Sequence, residues 1–239
     1  MISEQKRALK LMGNPLSMKN FLKRTLLGEG RRGRRIPLGL YRGLTLSIDP
    51  ATETNFYLGL YEAETTPWLR SAIRNCASLI DVGAGCGELS LWGLSKPWIR
   101  KVVAYDSAES RWPIFEENLR LNRFQSDPRF VAKKRMFAID EDPGALVELF
   151  QHLPGPILLK IDVDGGEEVV LREMRGKFEP TKLKIFLETH TADLDENCFQ
   201  ILLDYGFTPR RIMPAWWRKI HREHRPHEFN QWIVTENQK

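Results

Sequence analysis

Leu79-Ile80-Asp81-Val82-Gly83-Ala84-Gly85-Cys86-Gly87-Glu88-Leu89-Ser90 is the stretch whose reading decides the fold. Leu79 to Val82 is a short apolar run and reads as a buried strand. Three glycines then alternate through a tight turn, and Glu88 to Leu94 reads as the first turns of a helix. A strand that ends in glycines and feeds a helix presents backbone N–H groups and a helix N-terminus to a ligand. Glycine suits that place because side chains would block close approach and because such turns require positive φ.

Spacing separates two nucleotide chemistries. A dinucleotide fingerprint reads G-x-G-x-x-G and aims the helix at a pyrophosphate. Here Gly83, Gly85 and Gly87 read G-x-G-x-G, preceded by Asp81. An acid in that loop repels a pyrophosphate and suits a ligand with an ammonium group. The combination resembles the first motif of class I S-adenosylmethionine-dependent methyltransferases, whose cofactor carries an amino-acid end and a sulfonium. The resemblance implies that Asp81, Gly83, Ala84, Gly85 and Gly87 bind that cofactor.

A chain of 239 residues buries a substantial core and suggests one domain with an extension. With 42% apolar residues the composition is that of a globular protein. No apolar run approaches the roughly 20 residues of a membrane span. Lys6, Arg7 and Lys10 interrupt any signal-type apolar core. Cys76, Cys86 and Cys198 have no metal-type spacing, so a reduced, cytoplasmic setting is expected.

The net charge of +5 is unevenly placed. Residues 1–35 hold ten Lys/Arg against two acids, a balance of +8, and the other 204 residues sum to −3. Residues 1–35 therefore read as a basic extension, with a short amphipathic helix over Asn14 to Leu27 and the run Gly30-Arg31-Arg32-Gly33-Arg34-Arg35. One reading is an anion-binding arm for nucleic acid, acidic glycan or, peripherally, an anionic membrane surface; the other is a solvated tail or packed helix. Residues 36–239 form the main domain: a lead-in over 36–75, a cofactor-binding core over 76–212, and a Trp/His-rich segment with a last strand over 213–239.

In the lead-in, Leu44, Leu46 and Ile48 alternate as in a half-buried strand. Tyr57-Leu58-Gly59-Leu60-Tyr61-Glu62 follows, and Glu62 either packs there or faces the cofactor. Beyond the loop, Val102 to Asp106 is a strand ending in an acid at the place where a ribose diol is gripped, with Ser107 beside it. Arg129 to Val131 reads as the next strand, and Phe137 and Ala138 are expected near the adenine. Ile157 to Val163, Leu183 to Leu187 and Phe229 to Val234 complete the strands. Helices between them specify an α/β, Rossmann-like, doubly wound, mostly parallel seven-stranded sheet with ligands at the strand carboxyl ends.

Asp81, Asp106, Asp162, Asp164, Glu167, Glu188 and His190 all fall at those ends. Asp162 lies in an apolar strand, where a bare carboxylate is costly and must be paired, bind a cation or touch a ligand. Glu188 and His190, two apart on an extended segment, share a face. His190 is expected to serve as a general base near neutral pH.

Asp81 to Gly87, Leu119-x-x-Asn122, Leu159-Lys160-Ile161-Asp162-Val163-Asp164-Gly165-Gly166-Glu167 and Leu187-Glu188-Thr189-His190 together resemble the FkbM family of methyltransferases. The likeness spans roughly residues 55–210. Asp106-Ser107 stands where Glu-Pro is commoner, and Asp164-Gly165-Gly166 where Glu-Gly-Ala is commoner. The resemblance implies the class I fold, S-adenosylmethionine, and O-methylation of a hydroxyl on a sugar, glycan or small metabolite.

Asp162, Glu188 and His190 are then the candidates for orienting that hydroxyl and accepting its proton. No metal is required; if Mg²⁺ took part, Asp162, Asp164 and Glu188 would hold it. Two rival readings remain: an RNA methyltransferase using the arginine-rich arm, and a non-catalytic partner-binding protein on the same fold. Trp216, Trp217, His221, His224 and His227 form either a substrate lid or a surface insertion. The oligomeric state is not legible.

Overall fold

A computed structural model describes residues 28, 30–50, 52–215 and 229–236. The expected amphipathic helix over residues 14–27 and the Trp/His-rich stretch from Trp216 to His227 lie outside them. The chain divides into two compact units, one ending at Tyr61 and one beginning at Glu62.

In the first unit, β1 (Arg32–Arg35) pairs antiparallel with β2 (Thr45–Ile48), Arg32 opposite Ile48 and Arg35 opposite Thr45. The arginine run therefore belongs to a hairpin, an arrangement that the charge pattern did not specify. Leu44, Leu46 and Ile48 are buried as the alternation required. Helix α1 (Thr54–Tyr57) follows; Tyr41 stacks on Phe56 with ring centroids 5.2 Å apart, and Arg31 pairs with Glu53 at 2.8 Å.

The second unit opens with α2 (Thr66–Arg74), which starts at a proline in its first turn. Strands and helices then alternate: β3 (Ser78–Val82), α3 (Glu88–Leu94), β4 (Lys101–Tyr105), α4 (Trp112–Leu121), β5 (Phe130–Lys133), α5 (Pro143–His152), β6 (Ile157–Ile161), α6 (Glu167–Glu173), β7 (Leu183–Thr189) and α7 (Ala192–Asp204). β8 (Thr208–Ile212) and β9 (Gln231–Glu236) close the unit. The sheet order is β5, β4, β3, β6, β7, β9, β8. All pairs are parallel except those of β9, which runs antiparallel to both β7 and β8.

Every residue of β3 is buried, as a central parallel strand covered on both faces requires. On one face Ile80, Val82, Val103, Leu159, Ile161 and Ile185 pack with Leu146 of α5, Val170 and Leu171 of α6, and Cys198 and Leu202 of α7. On the other, Gly93 of α3 lies so close to Leu79 that a Cβ there would come within 2.7 Å of its side chain. Sheet order reverses direction between β3 and β6, so the crevice beyond their carboxyl ends is where a ligand is expected. No helix among the described residues is long and apolar enough to cross a membrane.

Several strands differ from the sequence reading. β6 ends at Ile161, so Asp162 stands at its exit, and the charge inside the strand is Lys160. β9 begins at Gln231, two residues later than expected. β8 carries Pro209, Arg210 and Arg211 and gave no strand signal; it forms an edge, where a proline is tolerated.

Candidate active site

The three glycines between β3 and α3 are needed for two different reasons. At Gly83 (φ +70) a Cβ would sit 1.7 Å from the Asp162 carbonyl oxygen, and at Gly87 (φ +86) 2.1 Å from the Phe115 ring. At Gly85 (φ +58) a Cβ would meet nothing within 4 Å. The first two glycines let the loop pack; the third bends the backbone around open space, where a ligand can approach it.

The loop is tied to β4. Gly83 and Ala84 N–H both donate to the Tyr105 carbonyl at 2.9 Å. Gly85 N–H donates to Asp106 Oδ2, and Ala108 N–H to Asp106 Oδ1, each at 2.7 Å. Asp106, expected to grip a ribose, thus holds the glycine loop with one oxygen and its own turn with the other, keeping further lone pairs for a ligand. Ser107 beside it is exposed. Phe137 turns its ring into the core, edge-on to Tyr105 at 4.8 Å, and Ala138 takes φ +65 at the following bend.

Asp81 is fully buried. Its Oδ2 accepts from Ser90 Oγ at 2.6 Å, and its Oδ1 accepts no hydrogen bond, with Lys160 Nζ 3.6 Å away. A buried carboxylate oxygen short of a donor, in the strand feeding a bend with room for a ligand, suits a cofactor that carries an ammonium group. The donor set fits S-adenosylmethionine.

Lys160 is the residue that sequence reasoning missed. Its signal was a lone cation within the apolar run Ile157–Ile161, a place where a charge requires partners. Nζ donates to the Gly83 carbonyl at 2.5 Å and lies 3.3 Å from Asp162 Oδ2. Burial alone pulls its pKa down, but Asp162, Asp81, Glu188 and Glu62 more than offset this and hold it above the usual lysine range. Glu62, expected to face the cofactor, therefore sits close enough to act on Lys160; it is half-buried with φ +46.

The other edge of the site gathers around His190, just past β7. Nε2 is 3.3 Å from Asp162 Oδ1, 3.5 Å from Glu167 Oε1 and 3.7 Å from Asp164 Oδ1; Nδ1 is 2.9 Å from Asn230 Oδ1. Burial works against the charged ring, but the Asp162 hydrogen bond and the charges of Asp162, Glu167 and Glu188 prevail and push its pKa up to about 9. These surroundings favour the protonated ring over the neutral one. For Asp162, burial raises the carboxyl, yet Lys160 and His190 outweigh it and hold it down to about 2.

Glu188 is buried and accepts from Asn230 Nδ2, so Glu188 and His190 do share a face, as their spacing predicted. Glu167, also buried, accepts from Val163 and Gly165 N–H and fastens the turn that leads into α6. Asp162, Asp164 and Glu188 are not assembled as a cation site, because Glu188 is turned to Asn230. The ligand atoms that do converge, within 4.8 Å, belong to Asp162, Asp164 and His190. Lys160 already sets a positive charge 3.3 Å from Asp162, and a role for Mg²⁺ finds no support.

No protein-family model matches the chain, and no curated protein gives a significant match. Many solved structures share its architecture. A ribosomal protein L11 methylase from Lactobacillus delbrueckii subsp. bulgaricus superposes with TM-score 0.50 at 12% identity, covering 74% of this chain and 77% of that one. The B. subtilis tRNA methyltransferase TrmK gives TM-score 0.50 at 11% identity, over 72% of this chain and 65% of that one. The fold is the class I methyltransferase fold. A precorrin-6y C5,15-methyltransferase from Geobacter metallireducens matches 72% of this chain and 88% of its own at 16% identity, with TM-score 0.49. At these identities the likeness concerns the methyltransferase fold, and the neighbours' differing substrates are their own.

Proposed function

We propose that the protein is an S-adenosylmethionine-dependent methyltransferase acting on a hydroxyl of a sugar, glycan or small metabolite. The observation that carries this reading is Gly85, bent at positive φ around open space in a loop that follows a buried Asp81 oxygen short of a donor. The FkbM-like motifs support the hydroxyl acceptor.

When bound, the cofactor supplies a methyl group on a sulfonium, an electrophile that needs alignment more than activation. The chain's residues do the remaining work. Among Asp162, Glu188 and His190, Asp162 has the accessible side chain, 29% exposed against 7% for His190. Asp162 accepts a hydrogen bond from the acceptor hydroxyl, orients it, and takes up its proton. A carboxylate of low pKa suffices, since an alkylated hydroxyl oxygen is a far stronger acid than any carboxylic acid. Lys160 and His190 keep Asp162 ionised and in place.

Calorimetric titration of the purified protein with S-adenosylhomocysteine tests the cofactor, and transfer of a labelled methyl group to hydroxylated metabolites tests the acceptor. Micromolar binding and label in a methyl ether are expected. A folded protein that does not bind overturns the reading and leaves a partner-binding scaffold. Label found in RNA alone replaces the acceptor class.

A further inference from the structure

Asn230 precedes β9 and meets both members of the Glu188/His190 pair. The antiparallel register that sets Thr189 opposite Gln231 brings Asn230 across from His190. Its Nδ2 donates to Glu188 Oε1, and its Oδ1 lies 2.9 Å from His190 Nδ1.

The orientation of this amide is dictated. A carboxylate oxygen accepts and does not donate, so the NH2 end must face Glu188 and the carbonyl end must face His190. An amide oxygen likewise accepts only, so Nδ1 carries a proton. Across the ring, Nε2 faces Asp162, Glu167 and Asp164, again carboxylate oxygens, so Nε2 carries one too. Flipping the ring would set C–H groups against Asp162 and Asn230. Among the described residues, the charged and titratable groups around the ring are Asp162 at the exit of β6, Asp164 and Glu167 at the entry to α6, and Glu188 on β7, with Lys160 behind Asp162.

We propose that Asn230 is a positioning residue: oriented by Glu188, it locks the His190 ring with both N–H groups committed, leaving Asp162 as the group that meets the acceptor. The role of Asp162 rests on the methyltransferase reading; the ring lock does not. The neutral amide is suited to this task. An aspartate at position 230 would confront Glu188 with a second carboxylate, and an apolar residue would leave Nδ1–H without an acceptor.

The test uses the full chain labelled with ¹⁵N-histidine, the His190 resonances being identified by their loss in His190→Gln. In the wild type at pH 7 both ring nitrogens are expected to show the protonated signature; a single-proton tautomer overturns the proposal with no variant needed. In Asn230→Leu the protonated Nδ1 signature is expected to vanish at pH 8, while affinity for S-adenosylhomocysteine stays within threefold. An unchanged signature in a folded variant overturns the lock. If the leucine variant does not fold, Asn230→Ala is read the same way. Two protonated nitrogens in a wild type that fails to bind S-adenosylhomocysteine would support the lock and overturn the methyltransferase reading, so the two failures are distinguishable.

Discussion

The backbone of Gly83 lies directly against the carbonyl oxygen of Asp162, so close that a Cβ would come within 1.7 Å of it. The glycine loop and the exit of β6 thus touch with no side chain between them. Gly83→Ala is expected to cost about 3 kcal/mol, through the clash and the left-handed backbone together. For a protein of this size that lowers Tm by roughly 6–12 °C in a thermal melt. Gly85→Ala meets no atom and costs about 1–2 kcal/mol of backbone strain. Its effect should appear in calorimetry, as affinity for S-adenosylhomocysteine at least tenfold weaker in a folded protein.

Lys160→Met removes the cation shared by Asp81, Asp162 and the Gly83 carbonyl. Stranding buried carboxylates in this way costs about 3–5 kcal/mol. Chemical denaturation should show that loss, and adding Asp81→Asn to the same chain should restore part of it. An additive pair of losses would mean that Lys160 and Asp81 are not coupled.

Stability should fall as the pH is raised through the weakly alkaline range. The His190 pKa rises from 6.5 in the unfolded chain to about 9 in the fold, so its contribution is complete below about 6.5 and is lost by about 9. Asp162 acts in the opposite sense: lowered from 3.8 to about 2, it stabilises above 3.8 and its contribution is lost as acid approaches pH 2. Denaturant midpoints measured from pH 6 to 10 should show the alkaline slope in the wild type and a flatter profile in His190→Gln.

Asp106→Ala releases both the Gly85 and the Ala108 N–H. Because Gly85 is half-buried and Ala108 exposed, the fold should tolerate the change within about 1–2 kcal/mol. The loop, left with only the Gly83 and Ala84 bonds to Tyr105, should bind S-adenosylhomocysteine at least tenfold more weakly; unchanged binding in calorimetry would remove Asp106 from the site.

The strand, turn and helix from Leu79 to Leu94 were legible because every local signal agreed: an apolar run, alternating glycines, then a helix from Glu88 as expected. β8 was illegible because Pro209 and two arginines argue against a strand, and only pairing with β9 makes one. The pairing of the arginine run was illegible because charge patterning says nothing about a partner strand at Thr45–Ile48. Position alone placed Asp162, Glu188 and His190 near one another. The proton on His190 was beyond reach, since it depends on carboxylates from three elements and on Asn230, 40 residues further along the chain.

That distance along the chain orders events during synthesis. The glycine loop, Asp106 and Lys160 are all made before residue 161, whereas His190 cannot be locked until Asn230 has left the ribosome and β9 has slotted between β7 and β8. A nascent chain therefore holds the glycine loop, Asp106 and Lys160 well before the contact between His190 and Asn230 can form.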